Sequence, residues 1–191
     1  MLVLSGHKIG GPAGVGALVR RSEAIHLPDP LLRGGGQERG LRAGTENILG
    51  IIGFGAAAQA LYEEGGEARR LDLLRRQLEA GLLAIDPDTV VFGAGAPRLP
   101  NTTAFAVHGV AAETALIALD LEGLAASSGS ACSSGKVKAS HVLDAMGVEP
   151  DLLHGMIRLS LGWTTTAEEV EAALTIWACV HKRLAARAVA A

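Results

Sequence analysis

Two side chains in this sequence of 191 residues have the type and setting for covalent chemistry. Lys8 lies in the segment LSGHKIGGPAGVG, directly after a histidine and before a glycine-rich turn. A lysine amine can form a covalent bond with the carbonyl group of a substrate or cofactor. Cys132 lies in the segment ASSGSACSSG, where small polar neighbours predict an accessible thiol on a mobile loop. Together the two residues indicate an enzyme that uses both an amine and a thiolate.

Each of these residues also has a simpler interpretation. Lys8 could be a surface lysine that happens to adjoin a turn. Cys132 could be a structural cysteine, although a buried one is expected among Leu, Val or Ile rather than among Ser and Gly. The choice between these interpretations depends on the other segments of the chain.

A glycine-rich loop, GGGQERGLRAGTEN, precedes a predicted helix. We expect that helix to begin at Thr45 and to continue to about Tyr62, with Glu46 placing negative charge in its first turn. The hydroxyl of a threonine and the unpaired N–H groups at a helix start are suited to binding phosphate. The alternative is that Thr45 simply caps its own helix, and the two roles are compatible.

Arg158 is the charged residue of the otherwise largely apolar segment MIRLSLG. An arginine in an apolar strand needs an anionic partner, and a substrate carboxylate would be a bidentate one. The alternative partner is an Asp or Glu of the same protein.

We interpret His141 and His154 as structural or surface residues, because no second Cys or His stands at a metal-ligand spacing from them. The sequence therefore predicts no metal site.

The elements that would position these residues alternate between strands and helices. Strands over 2–4 and 15–21 flank the loop with Lys8, and a second helix reaches about residue 84. The turn Asp86-Pro87-Asp88 marks a boundary between predicted domains 1–85 and 86–191. The second domain reads as strands 89–92, 102–107, 124–127 and 156–161 and helices 112–121, 139–146 and 167–188. This alternation predicts an α/β fold.

Composition narrows the classes of function. The chain is 49% hydrophobic and 19% charged, with a mean hydropathy of +0.30, which predicts a packed core. A net charge of −3, without clustered basic and aromatic residues, argues against nucleic-acid binding. No signal peptide or membrane-spanning run is recognisable, so we expect a cytoplasmic protein without a membrane partner.

The two cysteines lie in different settings. Cys179, in LTIWACV, is predicted to pack on the apolar face of the last helix, whereas Cys132 is predicted to be accessible. We therefore expect no disulfide between them, in agreement with a reducing compartment.

The segments SGHK, RGGGQERGLRAGTENILGI, SSGSACSSG and RLSLGWTTT together resemble the cysteine desulfurases, which have the class-V aminotransferase-like fold. The resemblance implies the C-terminal part of the large domain of a pyridoxal 5′-phosphate (PLP)-dependent transferase of fold type I, followed by a small C-terminal α/β domain. It also implies an activity that converts L-cysteine to L-alanine and leaves a persulfide for the assembly of iron–sulfur clusters or other sulfur-containing products. The serine-rich thiol segment is similar to the longer-loop group of the family, the housekeeping and nitrogen-fixation type.

The resemblance assigns the cofactor to four residues. Lys8 would bind PLP covalently and later move protons, while Ser5 and His7 would bind the cofactor phosphate. Thr45 would reach the phosphate of the neighbouring subunit, which would make the enzyme an obligate homodimer.

The resemblance assigns the sulfur chemistry to two further residues. Cys132 would accept the sulfur as a persulfide and pass it to a sulfur-acceptor or scaffold protein, and Arg158 would bind the substrate carboxylate. The sequence departs from the family pattern at Leu41, where many relatives carry a basic residue, and at His154-Gly155-Met156, which replaces His-Ser-Ser. The first departure is expected only to tune the loop.

Family members carry roughly half of their chain before the lysine, whereas Lys8 lies close to Met1. We therefore interpret the chain as a C-terminal half, without the aromatic residue that stacks on PLP and the acidic partner of its ring nitrogen. Such a chain could pair with an N-terminal half, or be a non-catalytic truncated fragment or split-enzyme subunit. A selenocysteine lyase or cysteine sulfinate desulfinase is a further alternative, but these can work without a loop cysteine, so Cys132 favours a desulfurase.

Overall fold

The computed structural model describes residues 1–25, 29–63, 65–129 and 140–189. Residues 130–139, which include Cys132 and most of its segment ASSGSACSSG, lie outside the described residues. The chain divides into two compact units, Met1–Gly65 and Gly66–Ala191. The domain boundary predicted at residues 85 and 86 stays a prediction, and the helix that precedes it packs within the second unit.

The first unit is a β-hairpin with a helix packed on its turn. Strands β1 (Leu2–Ser5) and β2 (Gly16–Val19) pair antiparallel, which confirms both predicted strands. They flank a 3₁₀ turn, Gly6–Ile9, and helix α1 (Ile48–Glu63) lies against that turn. The contact is close because a Cβ atom at Gly53 of α1 would lie 2.5 Å from Pro12 Cγ.

Helix α1 begins three residues later than expected, so the prediction that Thr45 starts it is wrong. The Asn47 side chain accepts a hydrogen bond from the Gly50 N–H at 3.1 Å, as an N-cap residue does. Thr45 therefore lies in the loop before the cap. That loop also contains a second 3₁₀ turn, Gln37–Gly40.

The second unit is a small antiparallel sheet with helices on both faces. Its elements, in chain order, are α2 (Glu67–Ile85), β3 (Val90–Val91), β4 (Thr102–Ala106), α3 (Ala112–Leu121), α4 (His141–Ala145), α5 (Pro150–His154), β5 (Ile157–Ser160) and α6 (Ala167–Val189). The strand order is β3-β4-β5, with both pairs antiparallel. Alternate residues of β4 face opposite sides, so that Phe105 packs in a cluster with α2, α3 and α6, and Ala106 packs in one with α4 and α5.

Most of these elements match the sequence-based prediction, and two do not. The structure gives α5, which was not predicted, and residues 124–127 form a single bridge between Ser127 and Arg158 instead of a strand. None of the helices in the described ranges is long and apolar enough to cross a membrane.

The larger cluster centres on two aromatic side chains. Trp177 is 1% exposed and packs edge-on against Phe105, with ring centroids 5.1 Å apart. Helices α2 and α6 cross at Gly81, where a Cβ atom would overlap the side chain of Leu174. Replacing a buried aromatic residue of this size by alanine typically costs about 3–5 kcal/mol, so this pair fixes the helices on the sheet.

Cys179 is exposed, so the prediction that it packs on the apolar face of α6 is wrong. The buried residues of that face are Val170, Trp177 and Val180. Each helical residue turns the side-chain direction by about 100°, which carries Cys179 roughly 200° away from Trp177. An apolar run of sequence did not distinguish the two sides of the helix.

A nearly buried ion cluster connects α2 with β4. The Glu79 carboxylate accepts hydrogen bonds from Arg98 at 2.9 and 3.0 Å, from Arg75 at 2.8 and 2.9 Å, and from the Thr103 hydroxyl at 2.7 Å. The side chains of Glu79, Arg75 and Arg98 are 14%, 8% and 17% exposed. Removing Glu79 would leave Arg98 partly buried without its anion and Arg75 with Asp72 as its remaining partner, which makes the cluster important for stability.

Candidate active site

Lys8 lies in the 3₁₀ turn that directly follows β1, and its side chain is exposed. The turn is held by two backbone hydrogen bonds, from Gly6 N to Val15 O at 2.8 Å and from Gly11 N to Gly6 O at 2.9 Å. A Cβ atom at Gly6 would lie 2.8 Å from the Val15 side chain, so only glycine fits this position. Gly10 closes the turn at φ 83°, which glycine adopts readily. The sequence thus builds a fixed turn that presents an accessible amine.

Ser5 and His7, the two residues predicted to bind the cofactor phosphate, are in direct contact. The Ser5 hydroxyl and His7 Nδ1 are 3.0 Å apart, within hydrogen-bond distance. Ser5 is the last residue of β1 and His7 lies in the turn, so a strand end and a turn bring them together. The structure therefore places Ser5, His7 and Lys8 at one corner of the hairpin.

Thr45 is exposed in the loop before α1. No described residue hydrogen-bonds to its hydroxyl, while its carbonyl accepts a hydrogen bond from Arg42 Nη1 at 3.2 Å. Because Asn47 caps α1, the alternative in which Thr45 caps that helix is not what the structure contains. The Thr45 hydroxyl is consequently available to a ligand.

Arg158 lies in β5 and is partly buried. No acidic side chain of the described ranges lies within ion-pair distance of its guanidinium, so the alternative of a structural ion pair has no partner there. Its backbone is bonded to Ser127, by N–H to O hydrogen bonds of 3.0 and 2.6 Å. A partly buried cation without an internal partner is suited to binding an external carboxylate.

The side chains of Ser5, His7, Lys8 and Thr45 suit two groups of PLP, its aldehyde and its phosphate. The exposed Lys8 amine suits an aldehyde, and the Ser5–His7 pair and the Thr45 hydroxyl are hydrogen-bonding groups of the kind that hold phosphate. Across the described ranges, no group of three or more His, Cys, Asp or Glu side chains could hold a metal ion. The absence of a metal site stays a prediction, and His141 and His154 are both exposed.

Sequence reasoning missed two residues that shape this region. Asn47 is the helix cap, and the signal that could have identified it is an asparagine directly before the apolar run from Ile48. Arg42 donates to the backbone beside Thr45, but no sequence pattern announces that contact.

Comparison with known proteins identifies the family. A sequence model of the class-V aminotransferases matches residues 1–173. The chain belongs to the class-V aminotransferase family. Class-V aminotransferases and cysteine desulfurases depend on PLP, as the sequence predicted.

The class-V relatives with similar sequences include proteins named as cysteine desulfurases. The chain is 46% identical over 187 residues to cysteine desulfurase 2 of Trichormus variabilis. The aligned region covers 97% of this chain and 46% of the relative. It is 48% identical over 173 residues to the cysteine desulfurase NifS of Azotobacter vinelandii, covering 90% of this chain and 42% of the relative. The chain thus spans about half the length of the curated relatives it matches.

Solved structures confirm the predicted fold class. A NifS-like protein from Rickettsia africae is 35% identical, has a TM-score of 0.81, and covers 94% of this chain and 47% of that one. The solved relatives are NifS-like proteins of the PLP-dependent fold type I, and this class-V chain has the mixed α/β structure expected of part of that fold.

Proposed function

We propose that this class-V chain acts in a cysteine desulfurase, which removes sulfur from L-cysteine to give L-alanine and a persulfide on Cys132. The observation that carries the proposal is the fixed hairpin turn, which presents the Lys8 amine beside the Ser5–His7 contact of 3.0 Å. The relatives named as cysteine desulfurases support the same reaction. The persulfide would serve the assembly of iron–sulfur clusters or of another sulfur-containing product.

Each candidate residue has a defined task in this reaction. When bound, PLP supplies an electron sink for the bonds at the substrate α-carbon. The Lys8 amine binds the cofactor aldehyde and moves the proton at the α-carbon, while Ser5 and His7 bind the phosphate. Arg158 orients the substrate carboxylate. It is available for this task because no acidic side chain in the described ranges forms an ion pair with it.

The sulfur transfer itself requires Cys132. Its thiolate attacks the substrate sulfur, so that an S–S bond forms and the substrate C–S bond breaks. The electron pair of the broken bond stays on the substrate β-carbon, which takes a proton and becomes the methyl group of L-alanine. The sulfur remains on Cys132 as a persulfide, and no external oxidant is needed.

We further propose that the protein acts as a homodimer, or paired with a separate chain that supplies the remaining contacts of PLP, in the cytoplasm. Large apolar side chains are exposed on β1 and α1, with Val3 78%, Leu49 84% and Ile52 63% exposed. Exposed apolar surface of this kind commonly belongs to an interface. A monodisperse monomer in light scattering at high protein concentration would contradict this assignment.

The proposed reaction is tested on Lys8 with a matched lysine as control. Protein incubated with PLP is reduced with borohydride, digested and examined by mass spectrometry. We expect the added mass of the reduced cofactor on the peptide that contains Lys8. This added mass should be lost in Lys8→Ala and persist in Lys182→Ala, which changes an exposed lysine of α6. Cofactor mass retained in Lys8→Ala, or desulfurase activity of that variant, would overturn the proposal.

A further inference from the structure

The loop before α1 is not held in place by packing. From Leu31 to Asn47 every residue is exposed or only partly buried. A segment without buried side chains gains little from the hydrophobic effect, so hydrogen bonds must maintain its shape. The conformation of this loop therefore depends on a small number of identifiable contacts.

The backbone of the loop is also strained. Glu38 and Arg39 both adopt left-handed conformations, at φ 51° and 60°. Each such residue costs about 1–3 kcal/mol, and strain of this kind persists only where neighbouring contacts enforce it. Backbone hydrogen bonds hold the first part of the loop, among them the one from Ala43 N to Leu32 O at 3.0 Å, and a further one joins Ile48 N to Glu46 O at 3.0 Å beside the helix cap.

At Gly44 and Thr45, the contacts that hold the backbone come from Arg42. Its Nη1 donates to the carbonyl of Gly44 at 3.0 Å and to that of Thr45 at 3.2 Å. One nitrogen thus connects two successive carbonyls, those of Gly44 and Thr45. Gly44 adopts a φ of 92° and, because it has no Cβ atom, has many other backbone conformations open to it in the absence of such a contact. Arg42 consequently sets the orientation of the Thr45 peptide.

The Arg42 guanidinium forms its hydrogen bonds in the described part of the chain with the Gly44 and Thr45 carbonyls. Glu38, Arg42 and Glu46 line one cavity of about 170 Å³ with the start of β2, yet neither glutamate is within ion-pair distance of Arg42. No other described side chain donates to the Gly44 or Thr45 carbonyl, so a shortened side chain at 42 would leave both to water.

We propose that Arg42 is a positioning residue that holds the Thr45 hydroxyl in the orientation needed to bind the cofactor phosphate. The inference rests on the proposed function and on the sequence-based prediction that Thr45 reaches the cofactor phosphate of the neighbouring subunit. Arg42 acts through Thr45 and makes no contact with the phosphate itself.

The test uses PLP and pyridoxal, which differ only in the phosphate. Both are titrated into purified wild-type protein, Arg42→Ala, Arg42→Lys, Thr45→Val and the double variant, with Arg33→Ala as control. Among the described residues, Arg33 forms an exposed ion pair with Asp29. Thr45→Val is expected to weaken PLP binding roughly 10-fold, the cost of one hydrogen bond to a charged group, and to leave pyridoxal binding unchanged.

Arg42→Ala is expected to reproduce the selective loss of PLP affinity, and the double variant to lose no more than Thr45→Val alone. Arg42→Lys, which can still donate to a carbonyl, is expected to recover part of the loss, and Arg33→Ala to behave like wild type. The non-additive double variant is the readout that a merely structural role would not give.

The possible outcomes separate the two levels of the proposal. An unchanged ratio of PLP to pyridoxal affinity in Thr45→Val would remove the phosphate role of Thr45. If Thr45→Val weakens PLP binding as expected but the losses of PLP affinity add in the double variant, Arg42 contacts the phosphate directly. If Arg42→Ala weakens the binding of PLP and of pyridoxal equally, Arg42 only stabilises the fold. If Arg42→Ala does not fold by circular dichroism, Arg42→Lys and Arg42→Gln answer the same question.

Discussion

Ser127 and Arg158 are joined by two backbone hydrogen bonds, of 3.0 and 2.6 Å. Arg158 is the predicted ligand of the substrate carboxylate, and Ser127 precedes Cys132 by five residues in the sequence. The chain is therefore anchored to β5, the strand of Arg158, at the start of the segment SSGSACSSG that contains Cys132. This bridge gives the small sheet a direct part in the proposed reaction.

Arg158→Gln is expected to lower kcat/KM for L-cysteine roughly 10- to 100-fold, because one charged hydrogen-bond donor to the carboxylate is lost. The loss should appear mainly in KM if the carboxylate is bound equally in the ground and transition states. Steady-state kinetics would measure it, with Arg76→Gln as the control, since Arg76 is 70% exposed. An unchanged kcat/KM for L-cysteine would remove Arg158 from substrate binding.

Cys132→Ser is expected to abolish persulfide formation and to leave PLP binding intact, since serine has a far higher pKa than cysteine and gives no comparable nucleophile. Mass spectrometry after incubation with L-cysteine would detect the added sulfur. Cys179→Ala is the matched control and, because Cys179 is exposed, should change the free energy of unfolding by no more than about 0.5 kcal/mol. A persulfide on Cys179 and none on Cys132 would refute the assignment.

Glu79→Gln is expected to destabilise the second unit by about 3 kcal/mol, because it leaves Arg75 and Arg98 partly buried without their shared anion. Urea unfolding followed by circular dichroism would measure the change. Glu122→Gln removes the anion of an exposed pair with Arg183 and should cost less than about 1 kcal/mol. Equal effects of the two variants would show that the cluster contributes no more than a surface pair.

The stability of the second unit should fall in acid through Glu79. Burial raises the pKa of this carboxyl group, but hydrogen bonds from Arg98, Thr103 and Arg75 outweigh it and hold the pKa below its ordinary value. The stabilisation is complete above the unfolded pKa of about 4.3 and is lost as the pH falls through the lower folded value. Urea midpoints between pH 7 and pH 3 should therefore change less in Glu79→Gln than in wild type.

Part of that acid dependence should remain in the variant, because hydrogen bonds from Arg75 and Arg76 also lower the pKa of Asp72. A wild-type protein whose midpoint does not change between pH 5 and pH 3 would contradict both assignments.

Local sequence signals predicted most of the elements. Helix α3 has the bounds expected from its apolar spacing, and the Gly and Pro residues around Lys8 marked the hairpin turn. The signals failed where a side chain or a distant strand decides the outcome. The Asn47 side chain sets the start of α1. Of the predicted strand 124–127, Ser127 alone forms a bridge, and its partner Arg158 lies far away in the sequence.

The candidate site shows the same division. Residue types and motifs singled out Lys8, Thr45 and Arg158, since each stands in a recognisable local setting. Arg42 was missed because an arginine in a polar loop has many possible partners, and only the folded backbone reveals that it binds two successive carbonyls.

Gly81 of α2 lies at the start of a chain of contacts that ends at β5, the strand of Arg158. A Cβ atom at this position would overlap the side chain of Leu174, so that Leu174 or α6 would have to shift. Trp177 lies one turn further along α6 against Phe105 of β4, and β4 pairs with β5. A shift of α6 after replacement of Gly81 would therefore reach the position of Arg158, the proposed ligand of a substrate carboxylate, although no candidate site residue had altered.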